Sequence, residues 1–448
     1  MRRRERLQSH ERVLERHRIG EGHAVHSRPG PIVPVMLRPT EIPRPDSGAT
    51  TTSDGSGGVF PGTASRMRNG RVTARSTPRS AANGRHRHER TDGSMARFLF
   101  LTWDGGGTTV PVVALGRALR ERGHDVTAMG HTVQAPRFAD DGLPFIAYPR
   151  ASGFTVTASP ANLLALMRNR DAASDVRERL RTTPVDLVVG DPLLVSTLCA
   201  VQDAGARYVL LESTFDSLLR VRLRGSAPLL RLAALPVRRA LDGAAATIVA
   251  SVAELDSRAG ADAIHIGPVT TATAAHADEP TLLLSLSTFG FPALIGTWQR
   301  VLDAVAPLPV RAIATTGPAL DPAELAVPAN VEVRRWADHA AVMPNVSAAV
   351  THGGHGTTIA ALAHGLPVLV LPLDDQSDQP GIGHIVERAG VGLSRSRRSS
   401  PARIRESIER LLHDGALRQR AVALGARIRA TGGAAAGADA LIDAAARP

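Results

Sequence analysis

His352 and His355 bracket Gly353 and Gly354, and Gly356, Thr357 and Thr358 follow at once. Glycines at this density let the backbone turn sharply, so that several N–H groups and a helix N-terminus point at one spot. That arrangement suits a phosphate, and the two imidazoles add donors. The flanking residues supply the elements needed to hold the turn. Val346 to Val350 and Val368 to Leu371 have the length and β-branched content of buried strands. Ile359 to Ala363 reads as a helix with Thr357 at its start and Gly365 at its stop. Strand, turn, helix and parallel strand make this an anion site.

A second set of reactive side chains lies in the first half. Phe98 to Trp103 reads as a strand, followed by Asp104, three glycines, Thr108 and Thr109. Val112, Leu115, Ala118 and Leu119 then recur at helical spacing until Gly123, and Val126 to Met129 is the next strand, completing a right-handed βαβ unit. The three glycines are consecutive, so the GxGxxG dinucleotide fingerprint is absent. Asp191 sits just past a later strand, Val185 to Val189, at a carboxyl end, the edge of an open α/β sheet where ligands bind. Further strands are expected at 208–211, 247–250 and 263–266. The less regular segments 153–170 and 217–239 are expected to shape an acceptor pocket.

Alternation restarts after a Pro/Ala/Thr-rich stretch, 267–280, that reads as a linker. Strands follow at 282–286, 310–314 and 331–335, with a helix at 293–305, then the histidine turn, a helix to Arg388 and amphipathic helices from Pro401. The fold class is therefore α/β: two Rossmann-like parallel-sheet domains, 95–266 and 281–448, facing one another across a cleft.

Charge and composition narrow the classes. The formal net charge is +11, and every one of the 53 Lys+Arg residues is Arg. Residues 1–94 hold 18 Arg against 9 Asp and Glu, so +9 of the +11 lies there, and the rest of the chain is close to neutral. That segment is Pro-, Gly-, Ser- and Arg-rich without periodicity, beyond a possible short charged helix at 4–17, and its composition predicts disorder. It is either a basic arm or a non-functional extension translated from an early start, since Met95 opens a well-formed domain. With the charge outside the folded part, a nucleic-acid partner is the weakest class. The single cysteine, Cys199, excludes an internal disulfide and a multi-Cys metal site. It points to a reducing, cytoplasmic setting. No apolar run is long enough for a membrane span.

The segments FLFLTWDGGG, RALRERGHDV, HIGPV, SLST and above all THGGHGTTIAALAHGLPVLVLP, with Trp336 upstream and Asp378-Gln379-Pro380 downstream, resemble the nucleotide-sugar glycosyltransferases of family 1. These have the two-domain GT-B fold, and the likeness is closest to actinobacterial enzymes that glycosylate lipophilic natural products. It covers most of 95–441. The resemblance implies that Trp336 stacks on the donor base and that His352 contacts the diphosphate with the N–H groups of Gly354, Gly356 and Thr357. His355 joins this donor set, and Ser287 takes the place of a phosphate-proximal hydroxyl. Asp378 and Gln379 match the pair that hydrogen-bonds the sugar. The loop before them is about two residues long for the pattern, which leaves Asp375-Gln376 as an alternative pair. Ala360 stands where plant relatives carry an acid for the ribose.

The resemblance further implies inverting transfer with a nucleotide-sugar co-substrate, no obligatory cofactor or metal, and a hydrophobic small-molecule acceptor, in a monomer or homodimer. An acceptor hydroxyl needs a base. Family members place a histidine after the first strand, oriented by an Asp after a later one. Here Thr108 stands at the histidine's position, and Thr cannot serve as a base near neutral pH. Asp191 falls at the partner's position, with Asp104 in the same turn as Thr108, so either carboxylate is a candidate base, directly or through water. Two other readings use the same fold: a nucleotide-sugar-binding pseudo-enzyme or accessory protein, which Thr108 favours, and a nucleotide-sugar epimerase.

Overall fold

A computed structural model describes residues 95–157 and 159–447; the expected extension at 1–94 and its short helix lie outside the described residues. In the first lobe, β1 (Arg97–Leu101), α1 (Thr109–Glu121), β2 (Asp125–Gly130), α2 (Ala135–Asp140) and β3 (Phe145–Ala147) come first. Then follow α3 (Pro160–Met167), α4 (Arg170–Thr182), β4 (Leu187–Gly190), α5 (Val195–Asp203) and β5 (Tyr208–Glu212). Three helices, α6 (Asp216–Gly225), α7 (Ala227–Leu232) and α8 (Val237–Asp242), lead to β6 (Thr247–Val249) and β7 (Ala263–His265). All seven strands pair in parallel in the order β3-β2-β1-β4-β5-β6-β7. Phe98 and Phe100 pack on one face of the sheet and Leu99 and Leu101 on the other. A strand covered on both sides is apolar throughout, which is why it reads as a continuous apolar run.

Residues 267–280 contain no helix or strand and lead to the second lobe. It comprises β8 (Thr281–Ser285), α9 (Leu294–Val305), β9 (Arg311–Thr315), β10 (Val331–Arg334), α10 (His339–Val342) and β11 (Ala348–Thr351). After these come α11 (His355–Ala363), β12 (Val368–Val370), α12 (Gln379–Arg388), β13 (Gly392–Ser394), α13 (Pro401–His413) and α14 (Gly415–Arg429). The second sheet is also parallel throughout, in the order β10-β9-β8-β11-β12-β13. Trp298 of α9 and Ile404, Ile408 and Leu411 of α13 fill one face, all fully buried.

Two expectations change. The segments expected to be less regular contain helices: Ser159 caps α3, its hydroxyl accepting from the Asn162 N–H at 3.1 Å with Pro160 at the first helical position. Residues 216–242 form α6 to α8. Each of these helices is ten residues or shorter, too brief for periodicity to separate it from a loop. The second change is at the chain's end. The last helix, α15 (Gly433–Ala446), packs in the first lobe's core, where Ala438, Leu441 and Ala444 join Leu115, Leu119 and Ile266. Gly437 lies so close to Leu115 that a Cβ there has no room. The stretch 281–448 therefore does not pack as one continuous body.

Candidate functional site

In each sheet the strand order reverses once, between β1 and β4 in the first and between β8 and β11 in the second. In open α/β sheets the loops leaving such a strand pair diverge, and the crevice beyond the carboxyl ends is where ligands bind. The residues singled out from sequence leave the sheets there. Asp104 and Thr108 follow β1 and Asp191 follows β4; Ser287 follows β8 and His352 follows β11. Trp336 and Asp378 come off the same edge of the second sheet, after β10 and β12.

At the first crevice, Thr108 and Asp191 line one small pocket with Thr102, Val112, Leu211 and Ser213. The Thr108 hydroxyl donates to the Trp103 carbonyl at 2.9 Å, which ties the turn to the strand that precedes it. Asp191 accepts from the Leu193 N–H at 2.8 Å through Oδ1. Burial pushes its carboxyl up to about 6; the Leu193 N–H and the nearby Trp103 indole N–H pull the other way, although the indole stops short of full hydrogen-bond geometry. A carboxylate held there is a far stronger proton acceptor than an ordinary aspartate. Burial also raises Asp104, against the Gly106 N–H, but Asp104 is not among the residues lining that pocket.

At the second crevice, α11 begins at His355 with Gly354 as its cap, two residues before the Thr357 start expected from sequence. The first helical bond runs from the Thr358 N–H to the Gly354 carbonyl at 3.0 Å. The N–H groups of Gly354, His355, Gly356 and Thr357 thus precede the ladder and have no intrahelical partner. Gly353 makes this possible with φ of 86°, a left-handed conformation, and its N–H is held by the Thr351 hydroxyl at 3.0 Å. His352 is half-buried against Gly354, its Nδ1 has no partner among the described residues, and burial pushes it down to about 4. It is a neutral imidazole at pH 7.

The two histidines part company here. The His355 ring is buried edge-on against Phe215 of the first lobe, centroids 4.9 Å apart, and burial likewise takes it to about 4. Its backbone belongs to the N–H cluster, while its ring packs between the lobes.

Trp336 is 74% exposed, a large aromatic side chain mostly open to solvent. Ser287 is buried and its hydroxyl accepts from the Phe289 N–H at 2.9 Å. The two Asp-Gln pairs differ sharply. Asp375 is exposed and bound by both terminal nitrogens of Arg397, at 2.7 and 2.9 Å, and Gln376 is exposed beside it. Asp378 instead accepts from the Thr214 hydroxyl of the first lobe at 2.6 Å. Burial raises Asp378, opposed by that hydrogen bond. The Gln379 side-chain oxygen Oε1 receives the N–H groups of Leu373 and Asp374 at 2.7 and 3.1 Å, folding the long loop back on α12.

Sequence reading overlooked the residues that join the lobes. Thr214 lies just past β5, and the carboxyl-edge rule that found Asp191 applies to it equally. Gly106, with φ of 66°, lies so near the loop after β8 that a Cβ would stand 2.9 Å from the Phe289 ring. Nothing local in the sequence signals that approach. Among the described residues no three His, Cys, Asp or Glu side chains converge in a metal-holding group, and no helix is long and apolar enough to cross a membrane.

Comparison with known proteins bears on the fold. The family model of the erythromycin biosynthesis protein CIII-like C-terminal domain matches residues 299–436. The solved calicheamicin glycosyltransferase CalG4 superimposes with a TM-score of 0.65 at 24% identity, covering 79% of this chain and 99% of that one. The fold is GT-B. A second GT-B structure, the glycosyltransferase VinC in complex with dTDP, superimposes at 0.63 with 19% identity over 79% of this chain and 100% of its own. Sequence relatives match over shorter stretches. The 4'-demethylrebeccamycin synthase of Lentzea aerocolonigenes is 36% identical over 123 residues, 28% of each chain. The zeaxanthin glucosyltransferase of Pantoea ananas is 32% identical over 116 residues, 26% of each. The chain thus matches little more than a quarter of either relative's length.

Proposed function

We propose that this protein transfers a sugar from a UDP- or dTDP-linked donor to a hydroxyl of a lipophilic small molecule, with inversion at the anomeric carbon. The observation that carries the reading is the pair of switch-point crevices. One bears an uncommitted N–H cluster, a neutral His352 and an exposed Trp336; the other bears a carboxylate raised to about 6.

The base of the donor stacks on Trp336. Its diphosphate lies at the start of α11, where His352 and the N–H groups of Gly354, Gly356 and Thr357 are fixed dipoles aimed at the charge that grows on the leaving group. Ser287 is the hydroxyl near that phosphate. Asp378 and Gln379 hydrogen-bond the sugar, with the outward-facing Asp375 and Gln376 on the surface instead. Asp191 takes the proton of the acceptor hydroxyl as it attacks through an oxocarbenium-like state. Asp104 supports the loop, and Thr108, tied to the Trp103 carbonyl, lines the acceptor's approach. The acceptor occupies the first lobe, bordered by α3 and α6 to α8.

Donor profiling tests this. Full-length protein is incubated with UDP-glucose and dTDP-glucose and a panel of hydroxylated aglycones, with transfer read by mass spectrometry and the configuration of the sugar by proton NMR. Glycosylated aglycone of inverted configuration is expected, and no more than background with Asp191→Asn. Absence of nucleotide-sugar binding at millimolar donor sinks the reading. Binding without transfer or hydrolysis points to the accessory alternative, and an isomeric sugar nucleotide to an epimerase.

A further inference from the structure

The proposed mechanism leaves one side chain at the first crevice without a task, Trp103. It stands two residues past β1, and Asp191 one residue past β4. The two strands are neighbours, with Leu101 opposite Gly190 in register and the Asp191 N–H donating to the Leu101 carbonyl at 3.3 Å. The residue is fixed at both ends. The Trp103 carbonyl accepts from the Gly105 N–H and from the Thr108 hydroxyl, both at 2.9 Å. The ring lies over Gly105 so closely that a Cβ there would stand 2.7 Å from Cη2 and 2.8 Å from Cζ2.

That ring carries an unmet donor. The indole Nε1–H is shut off from solvent and reaches no acceptor in full hydrogen-bond geometry among the described residues. A buried indole N–H ordinarily finds an acceptor, and leaving one unpaired is costly. The acceptor beside it is the Asp191 carboxylate. Oδ1 of that group already accepts from the Leu193 N–H at 2.8 Å, which leaves Oδ2 for the indole. Trp103 is not among the residues lining the pocket that Asp191 borders, so a molecule there meets the carboxylate and not the indole.

We propose that Trp103 is the positioning residue of the base: its Nε1–H closes on Oδ2 of Asp191 when that carboxyl ionises and fixes its orientation toward the acceptor hydroxyl. This rests on the reading of Asp191 as the base. Hydrogen bonds of this kind are often long in the unliganded protein and tighten with substrate. An imidazole in this turn could itself take the acceptor's proton, but an indole only donates. The proton leaving the acceptor hydroxyl therefore goes to Asp191, and Trp103 neither gains nor loses one. Thr108, by holding the Trp103 carbonyl, fixes the residue that carries the donor.

The three tryptophans, Trp103, Trp298 and Trp336, give three indole resonances in nitrogen-15-labelled full-length protein, and Trp103→Phe identifies the first. Between pH 5 and 8 its N–H proton is expected to move downfield as Asp191 ionises, with a midpoint near about 6. Asp191→Asn should abolish that shift. Asp104 lies in the same loop and Glu212 senses the Asp191 charge, yet Asp104→Asn and Glu212→Gln should each leave a shift in place. In transfer assays Trp103→Phe keeps a ring over Gly105 and deletes the donor. It is expected to move the acid limb of the pH–rate profile up by about one unit, the scale of one hydrogen bond to a charged group, with donor binding unchanged. A Trp103 resonance that ignores pH, a shift that survives Asp191→Asn, or an unmoved pH–rate profile in Trp103→Phe each overturns the proposal. The resonances are read without substrate. A shift that tracks Asp191 in a protein that transfers no sugar upholds the pairing and counts against the sugar-transfer reading alone.

Discussion

Asp191 and His352 are both held away from their ordinary ionisation by burial, which raises the carboxyl and lowers the imidazole and so favours the neutral form of each. For Asp191 the folded state favours the protonated acid. The stability this gives is fully present below pH 3.8 and lost as pH rises through about 6. An amide avoids that loss, so Asp191→Asn should melt higher than the wild type at pH 8 and not at pH 4, while transfer is abolished. Wild-type turnover should rise with pH through about 6 as the base ionises. Thermal melts at both pH values and a pH–rate profile check the pair of outcomes; unchanged turnover in the variant places the base elsewhere. His352, depressed to about 4, presents an N–H dipole rather than a cation at neutral pH. A diphosphate beside it draws the imidazole's pKa up, so nucleotide binding below about pH 6 should take up protons. Calorimetry in buffers of different ionisation enthalpy measures that uptake, and His352→Ala should remove it and weaken nucleotide binding by about tenfold, the scale of one hydrogen bond to a charged group.

At the scale of elements, the turn between β11 and α11 is the most tightly specified part of the second lobe's crevice. A Cβ on Gly353 would meet the Gln379 carbonyl at 2.9 Å and Val370 at 2.8 Å, and the residue needs φ of 86°. Gly353→Ala should therefore move both the N–H cluster and the start of α12. A destabilisation of about 1–3 kcal/mol is expected, with nucleotide binding lost even where the protein stays folded. Urea denaturation and nucleotide titration separate the two effects. The same turn was legible in the sequence because glycine spacing, flanking apolar runs and a helix stop all fall within some twenty residues. The strands of both sheets were legible for the same reason, as buried parallel strands are apolar throughout. What was not legible is set by contacts across long separations. The His355 ring turns to Phe215, Asp378 to Thr214 and Gly106 to Phe289, and no local pattern encodes a partner in the other lobe. The two Asp-Gln pairs likewise differ only in space, Asp375 being engaged by Arg397 at the surface and Asp378 by Thr214 of the first lobe.

Across the whole molecule, the last helix decides what counts as a lobe. Leu441 is fully buried in the first lobe's core although it follows the entire second lobe in the chain. Leu441→Ala should destabilise the protein by about 2–5 kcal/mol, the range for truncating a buried leucine. Hydrogen exchange should show the loss in β1 and α1 rather than in the second sheet. Wild-type protection there would mean that α15 contributes little to the first lobe.

That tail also governs how such a protein can be recombined. A hybrid cut once, at residues 267–280, joins one protein's first lobe to a tail helix shaped for another's Leu115 and Ile266. The exchangeable unit is discontinuous: residues 95–266 together with 433–446 travel as one cassette, and the middle as the other. Synthesis meets the same constraint, because the first lobe cannot complete its core until residues 433–446 have also been made.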